Sequence, residues 1–126
     1  MIEIEVILDE GGILRACTAS GHADAGKTGT DIVCAAVSVL MRTAVRALAG
    51  GGPHPPTMPS IPAAGSGRKG ITVRYEAPEP GYLALELDYT AEGREFLSAA
   101  GVFLTEGLAS VAEEYPQHCR LTIRRT

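Results

Sequence analysis

Residues 2–20 read IEIEVILDEGGILRACTAS, and this stretch decides the fold class. Ile2, Ile4, Val6 and Leu8 share one face of an alternating segment, with Glu3 and Glu5 opposite. That is the pattern of a half-buried strand. Asp9-Glu10-Gly11-Gly12 then supplies turn chemistry, and a second strand runs from Ile13 to about Ser20. The pair reads as a hairpin, so the rest of the chain must cover one dry face of a sheet.

Beyond the hairpin, residues 21–30 hold three glycines (Gly21, Gly26 and Gly29) and no apolar periodicity, so they read as a loop. Thr30 suits an N-cap, and Asp31 puts an acid in the first turn of a helix. Val33, Val37, Leu40, Ala44 and Leu48 form the amphipathic stripe of that helix, which Gly50-Gly51-Gly52-Pro53 ends. Between Gly50 and Gly70 stand five prolines and six glycines, which predict a long, partly mobile loop rather than a second domain. Ile71 to Glu76 and Tyr82 to Tyr89 read as strands. Thr90 is expected to cap a second helix with the stripe Leu97, Ala100, Leu104, Leu108, Val111 and Tyr115. Pro116 stops it, and Cys119 to Arg125 closes the chain as a strand. The order ββαββαβ predicts an α+β two-layer sandwich, a mostly antiparallel sheet with both helices on one face.

Composition narrows the function classes. A chain of 126 residues, 45% hydrophobic and 21% charged, fits a single globular domain over residues 1–126. Its net charge of −4 lacks the basic footprint of a duplex-DNA binder, and no direct nucleic-acid contact is expected. Nowhere do 18 apolar residues run together, so no membrane partner is expected, and the acids at Glu3 and Glu5 stand where a signal peptide would carry bases. Three cysteines cannot all pair within one chain, so free thiols and a cytoplasmic location are the expectation.

Cys34 falls three to four residues into the expected first helix, near unpaired N–H groups that stabilise a thiolate. A small buried hydrophobe is the plainer reading of such a cysteine. His22 precedes the glycine-rich loop that leads back to that helix, and a Cys with a His in reach is the minimal thiol nucleophile. A solvated loop histidine explains His22 equally well from spacing alone. Cys17, Cys119, His54 and His118 show no ligand spacing with these two, so neither a metal site nor a cofactor is expected.

Gly21-His22-Ala23, five residues, then Gly29-Thr30-Asp31-Ile32-Val33-Cys34-Ala35-Ala36-Val37-Ser38 resembles the signature G-H-A-x5-G-x-D-I-V-C-A-A-x-S of the ribosomal-processing cysteine protease (Prp) family. Ser110 to Pro116 is similar to the family's terminal S-I-A-E-Q-Y-P, and Gly81-Tyr82-Leu83 resembles the start of its fourth strand. The resemblance implies an α+β homodimer that removes a short N-terminal extension from a precursor of a large-subunit ribosomal protein. It implies Cys34 as nucleophile and His22 as general acid/base. Residues 50–70 are longer and richer in Pro and Gly than the family pattern, so specificity is expected to differ more than catalysis.

Asp31 either orients His22 or complements the helix N-terminus, and the second is the plainer role. Ser38 either lines the site or bonds the carbonyl of residue 34. Backbone N–H groups around Cys34 are the natural oxyanion donors, and the glycines of 21–29 allow the loop to move aside for a peptide. Two other classes compete. A non-enzymatic ribosome-associated binding module would use the basic Arg120, Arg124 and Arg125. A thiol redox sensor would need Cys17 or Cys119 close to Cys34.

Overall fold

The computed structural model of the protein describes residues 1–21, 28–50, 68–79 and 81–126. Seven elements follow in the expected order: β1 (Ile2–Leu8), β2 (Leu14–Ser20), α1 (Thr28–Leu48), β3 (Ile71–Glu76), β4 (Tyr82–Tyr89), α2 (Arg94–Glu114) and β5 (Cys119–Arg125). The sheet order is β3-β4-β2-β1-β5. Three pairings are antiparallel and the fourth, β1 with β5, is parallel, which makes the sheet mixed.

Alternation along β1 sends Ile2, Ile4 and Val6 into the core and leaves Glu3 exposed. The same dry face continues through Cys17 and Ala19 on β2, Val73 on β3 and Leu85 and Leu87 on β4. Both helices lie on it. α1 contributes Val33, Val37, Met41, Val45 and Leu48, and α2 contributes Leu97, Leu104, Leu108 and Val111, to one continuous core. α2 is long and apolar enough to cross a membrane. Its Leu97 and Leu108, however, are fully buried against the sheet. Opposite, the wet face carries ion pairs of Arg120 with Glu3, Arg124 with Glu5, and Arg15 with Asp88.

The hairpin turn is built around Asp9. One carboxylate oxygen accepts the N–H groups of Gly11 and Ile13 at 2.9 Å each, and the other accepts the Tyr89 hydroxyl. Beyond the turn the register slips between Ile7 and Leu8, a bulge that restores Leu14 to the core side. The Tyr89 hydroxyl first, and then the two N–H groups, hold the Asp9 carboxyl below its ordinary 3.8. A lowered folded-state value stabilises the fold above the unfolded value, and the contribution fades as pH falls through the folded one. We therefore expect Asp9→Ala to cost about 1 kcal/mol at neutral pH. The gap to the parent should close as pH drops below about 4. Urea midpoints of both proteins at pH 7 and pH 3 check this, and a gap that stays constant contradicts it.

Both helix starts differ from expectation. α1 begins at Thr28, so Gly29 and Thr30 belong to the helix rather than to the loop and the cap. Adding a turn to a nucleated helix costs little, and local cap chemistry does not forbid it. α2 begins at Arg94 with Gly93 as N-cap, not at Thr90. The Thr90 N–H is engaged by the Gly70 carbonyl at 2.8 Å, and its own carbonyl accepts from Gly93 at 3.0 Å. A turn therefore precedes the helix. Most of the 50–70 stretch lies outside the described residues, but its end is tied down. Arg68 donates from its backbone to the Leu48 carbonyl at 2.9 Å and from its guanidinium to the Ala47 carbonyl at 2.7 Å. It satisfies two of the carbonyls that a helix end leaves open.

Candidate active site

Four chain segments meet at one end of the sheet. β2 is followed by Gly21, whose N–H donates to the Gly81 carbonyl just before β4, at 3.0 Å. The N–H of Ile2, at the start of β1, donates to the His118 carbonyl just before β5, at 2.8 Å. Gly21 has φ 124°, a conformation that side chains rarely tolerate, and a Cβ there would collide with the Met1 carbonyl oxygen. Glycine is thus required at this position both by backbone angle and by space.

α1 crosses above this junction and turns Cys34, Val37 and Ser38 toward it. Between helix and sheet opens a cavity of about 460 Å³. It is lined by Ile2, Ala19 and Leu83 of the sheet, by Gly21, and by Ala77, Pro78 and Glu79 of the β3–β4 connection. Cys34 is half-buried on its wall. The volume falls in the range of about 300–1,000 Å³ typical of ligand clefts.

Of the residues singled out from sequence, Cys34, Ser38 and Gly21 line one cavity. Asp31 stands in α1, three residues before Cys34. His22 and Gly26 lie outside the described residues, as does His54. Because α1 starts at Thr28, Cys34 is its seventh residue. The four N–H groups that a helix leaves unpaired belong to residues 28–31, so those around Cys34 are committed to the helix ladder. The expectation that they donate to an oxyanion is therefore corrected. The walls from β3–β4 have no signal in the linear chain, where Pro78 and Glu79 are some 45 residues from Cys34. Only the Ser20–Tyr82 pairing of β2 with β4 brings them to the thiol.

The other two thiols are chemically quiet. Burial pushes Cys17 up to about 12. Burial, and after it the charge of Cys34, also raises Cys119. Cys119 is therefore near Cys34 yet only 2% exposed, and its thiolate, the form a resolving cysteine needs, is disfavoured. All three are free. Among the described residues no group of His, Cys, Asp and Glu could hold a metal ion.

The family described as cysteine protease Prp has a model that matches residues 1–120. Among solved structures, SMU.848 from Streptococcus mutans superposes with a TM-score of 0.71 at 26% identity, covering 100% of this chain and 96% of that one. The essential ribosomal processing protease Prp from S. aureus, in complex with a substrate peptide, gives 0.68 at 18% identity, covering 98% and 99%. The same protease with a covalently linked product peptide gives 0.64 at 20% identity, with the same coverage. At those identities the S. aureus structures speak for the fold alone. No curated protein matches the chain.

Proposed function

Because this chain belongs to the cysteine protease Prp family and is a cysteine protease, we propose that it removes the N-terminal extension of a large-subunit ribosomal protein precursor with a Cys34–His22 dyad. The observation that carries the reading is the half-buried Cys34 thiol on the wall of a cavity of about 460 Å³. In this mechanism His22 takes the thiol proton and Cys34 attacks the scissile carbonyl. The tetrahedral intermediate collapses to a thioester as His22 returns the proton to the leaving amine. Water, deprotonated by His22, then hydrolyses the thioester and frees the thiol. Asp31 and Ser38 are the supporting residues of the proposal, and Ser38 shares the cavity with Cys34.

We place the reaction in the cytoplasm and propose that the protein acts as a homodimer. The support for a second copy is apolar surface on the helix layer: Val39 on α1, and Val102 and Phe103 on α2, are more than half exposed. Incubation with the precursor, followed by N-terminal sequencing, tests the central claim. A shortened product with a single new N-terminus is expected, and an intact precursor contradicts it.

The binding-module reading rests on basic residues at the C-terminus. Arg120 and Arg124 are ion-paired with Glu3 and Glu5 at 3.6 and 3.1 Å, which leaves Arg125 as the arginine of that strand outside the ion pairs of the described residues. The two readings separate by thiol alkylation. A protease predicts that iodoacetamide labels Cys34 far faster than the buried Cys17 and Cys119, and more slowly after His22→Ala. Identical labelling curves for parent and His22→Ala remove His22 from the dyad.

A further inference from the structure

Among the described residues that line the Cys34 cavity, Glu79 carries the only charge. Around it the walls are uncharged: Ile2, Ala19, Val37 and Leu83 are apolar, and Ser38 and Tyr82 are polar but neutral. Several charges elsewhere on the described surface are ion-paired. Arg74 meets Glu86 and Asp88, Lys69 meets Glu92, and Arg120 and Arg124 meet Glu3 and Glu5. None of the ion pairs among the described residues includes Glu79. A lone carboxylate at the mouth of an otherwise uncharged cavity attracts a cation and repels an anion seated there.

The rim is also stiff. Glu79 stands between Pro78 and Pro80 in the sequence. Proline fixes its own φ and restricts the residue before it, so little backbone freedom is left to lose on binding. The Glu79 carbonyl accepts the Tyr82 N–H at 3.3 Å, and the Gly81 carbonyl accepts from Gly21 at 3.0 Å. These bonds fasten the rim to the sheet end beneath Cys34. Among the described residues no side-chain hydrogen bond or ion pair involves the Glu79 side chain, which is exposed.

We propose that Glu79 is a specificity residue of the protease, receiving a lysine or arginine side chain of the bound peptide while the neighbouring apolar residues fill the cavity. The proposal rests on the reading of this cavity as the peptide site. It implies that substrates combine an apolar segment with a basic residue a few positions away, and that acidic residues at that position are rejected.

The test uses full-length Cys34→Ala protein and fluorescein-tagged nonapeptides of Leu, Phe and Ala carrying one lysine, moved along the sequence. Each has partners with neutral norleucine or with glutamate at the same place, and binding is read by fluorescence anisotropy. At one position, lysine should bind about two- to five-fold tighter than norleucine, the size an exposed charge pair carries. Glutamate should bind more weakly than either, and the preference should shrink as salt rises. Adding Glu79→Gln should erase the preference and Glu79→Arg should reverse it. Thermal melts matching the Cys34→Ala parent establish that both variants fold. Equal binding of the three peptides at every position, or a lysine preference that survives Glu79→Gln, overturns the role of Glu79 and leaves the peptide site standing. If no peptide binds, the peptide-site reading falls as well.

Discussion

Cys34→Ala is expected to leave the precursor uncut while the protein unfolds at nearly the parental midpoint. The two halves of this expectation have separate causes. Cys34 is half-buried at the edge of the core, so removing one sulfur takes away little buried area and opens no closed void. A cost of about 1 kcal/mol or less is expected. Activity has no such reserve. Among the described residues of the cavity the hydroxyls are those of Ser38 and Tyr82, weak nucleophiles unless a base activates them. Removing the base-activated serine of a serine protease costs about 10⁶-fold in rate, and a loss on that order is expected here. Timed digestion of the precursor alongside a urea melt reads both halves. Processing at the parental rate ends the assignment of Cys34, and a collapsed midpoint means that the thiol serves the core.

The second large effect belongs to a residue with no side chain. Gly21→Ala is expected to lose at least about 10²-fold in kcat/KM, the scale that misplacement by about 1 Å imposes on a catalytic group. Gly21 lines the cavity and immediately precedes His22 in the chain. A methyl group there meets the Met1 carbonyl oxygen and comes within 3.1 Å of the Ile2 Cα, all of it backbone that cannot turn aside. The chain must therefore shift at the residue that immediately precedes His22 in the sequence. The strained φ alone costs about 1–3 kcal/mol. Gly50→Ala is the matching control: its φ is 119°, yet nothing among the described residues lies within 4 Å of an added Cβ, and it follows the end of α1 opposite to Cys34. It should lose stability through strain and keep its kcat/KM. Equal kinetic losses in the two variants would deny Gly21 any special place.

How much of the structure is legible in the chain depends on the range of the forces involved. The strands β3, β4 and β5 run between the residues expected, because alternation and flanking Gly and Pro act over a few residues. Helix starts are less legible. Thr30 and Thr90 each look like caps locally, but α1 begins two residues before Thr30, and Gly70 claims the N–H of Thr90 from 20 residues away. The site is half legible. Cys34, Gly21 and Ser38 can be named because they fall in one motif, whereas Pro78 and Glu79 reach the thiol only through the β2–β4 register. Periodicity carries no information about which strands become neighbours, and so the β3–β4 part of the cavity lining has no local signature.

The parallel pairing of β1 with β5 also sets when this enzyme can come into being. Ile2, which lines the cavity, pairs with Cys119, and its N–H is held by His118. On the ribosome, β1, β2 and α1 are made well before β5, so the thiol exists long before this part of the lining is braced. Contacts this remote along the chain form late and slowly. A nascent chain therefore carries its nucleophile through most of its synthesis with an unfinished cleft, and competence arrives with the last strand. The topology itself thus delays the first cut.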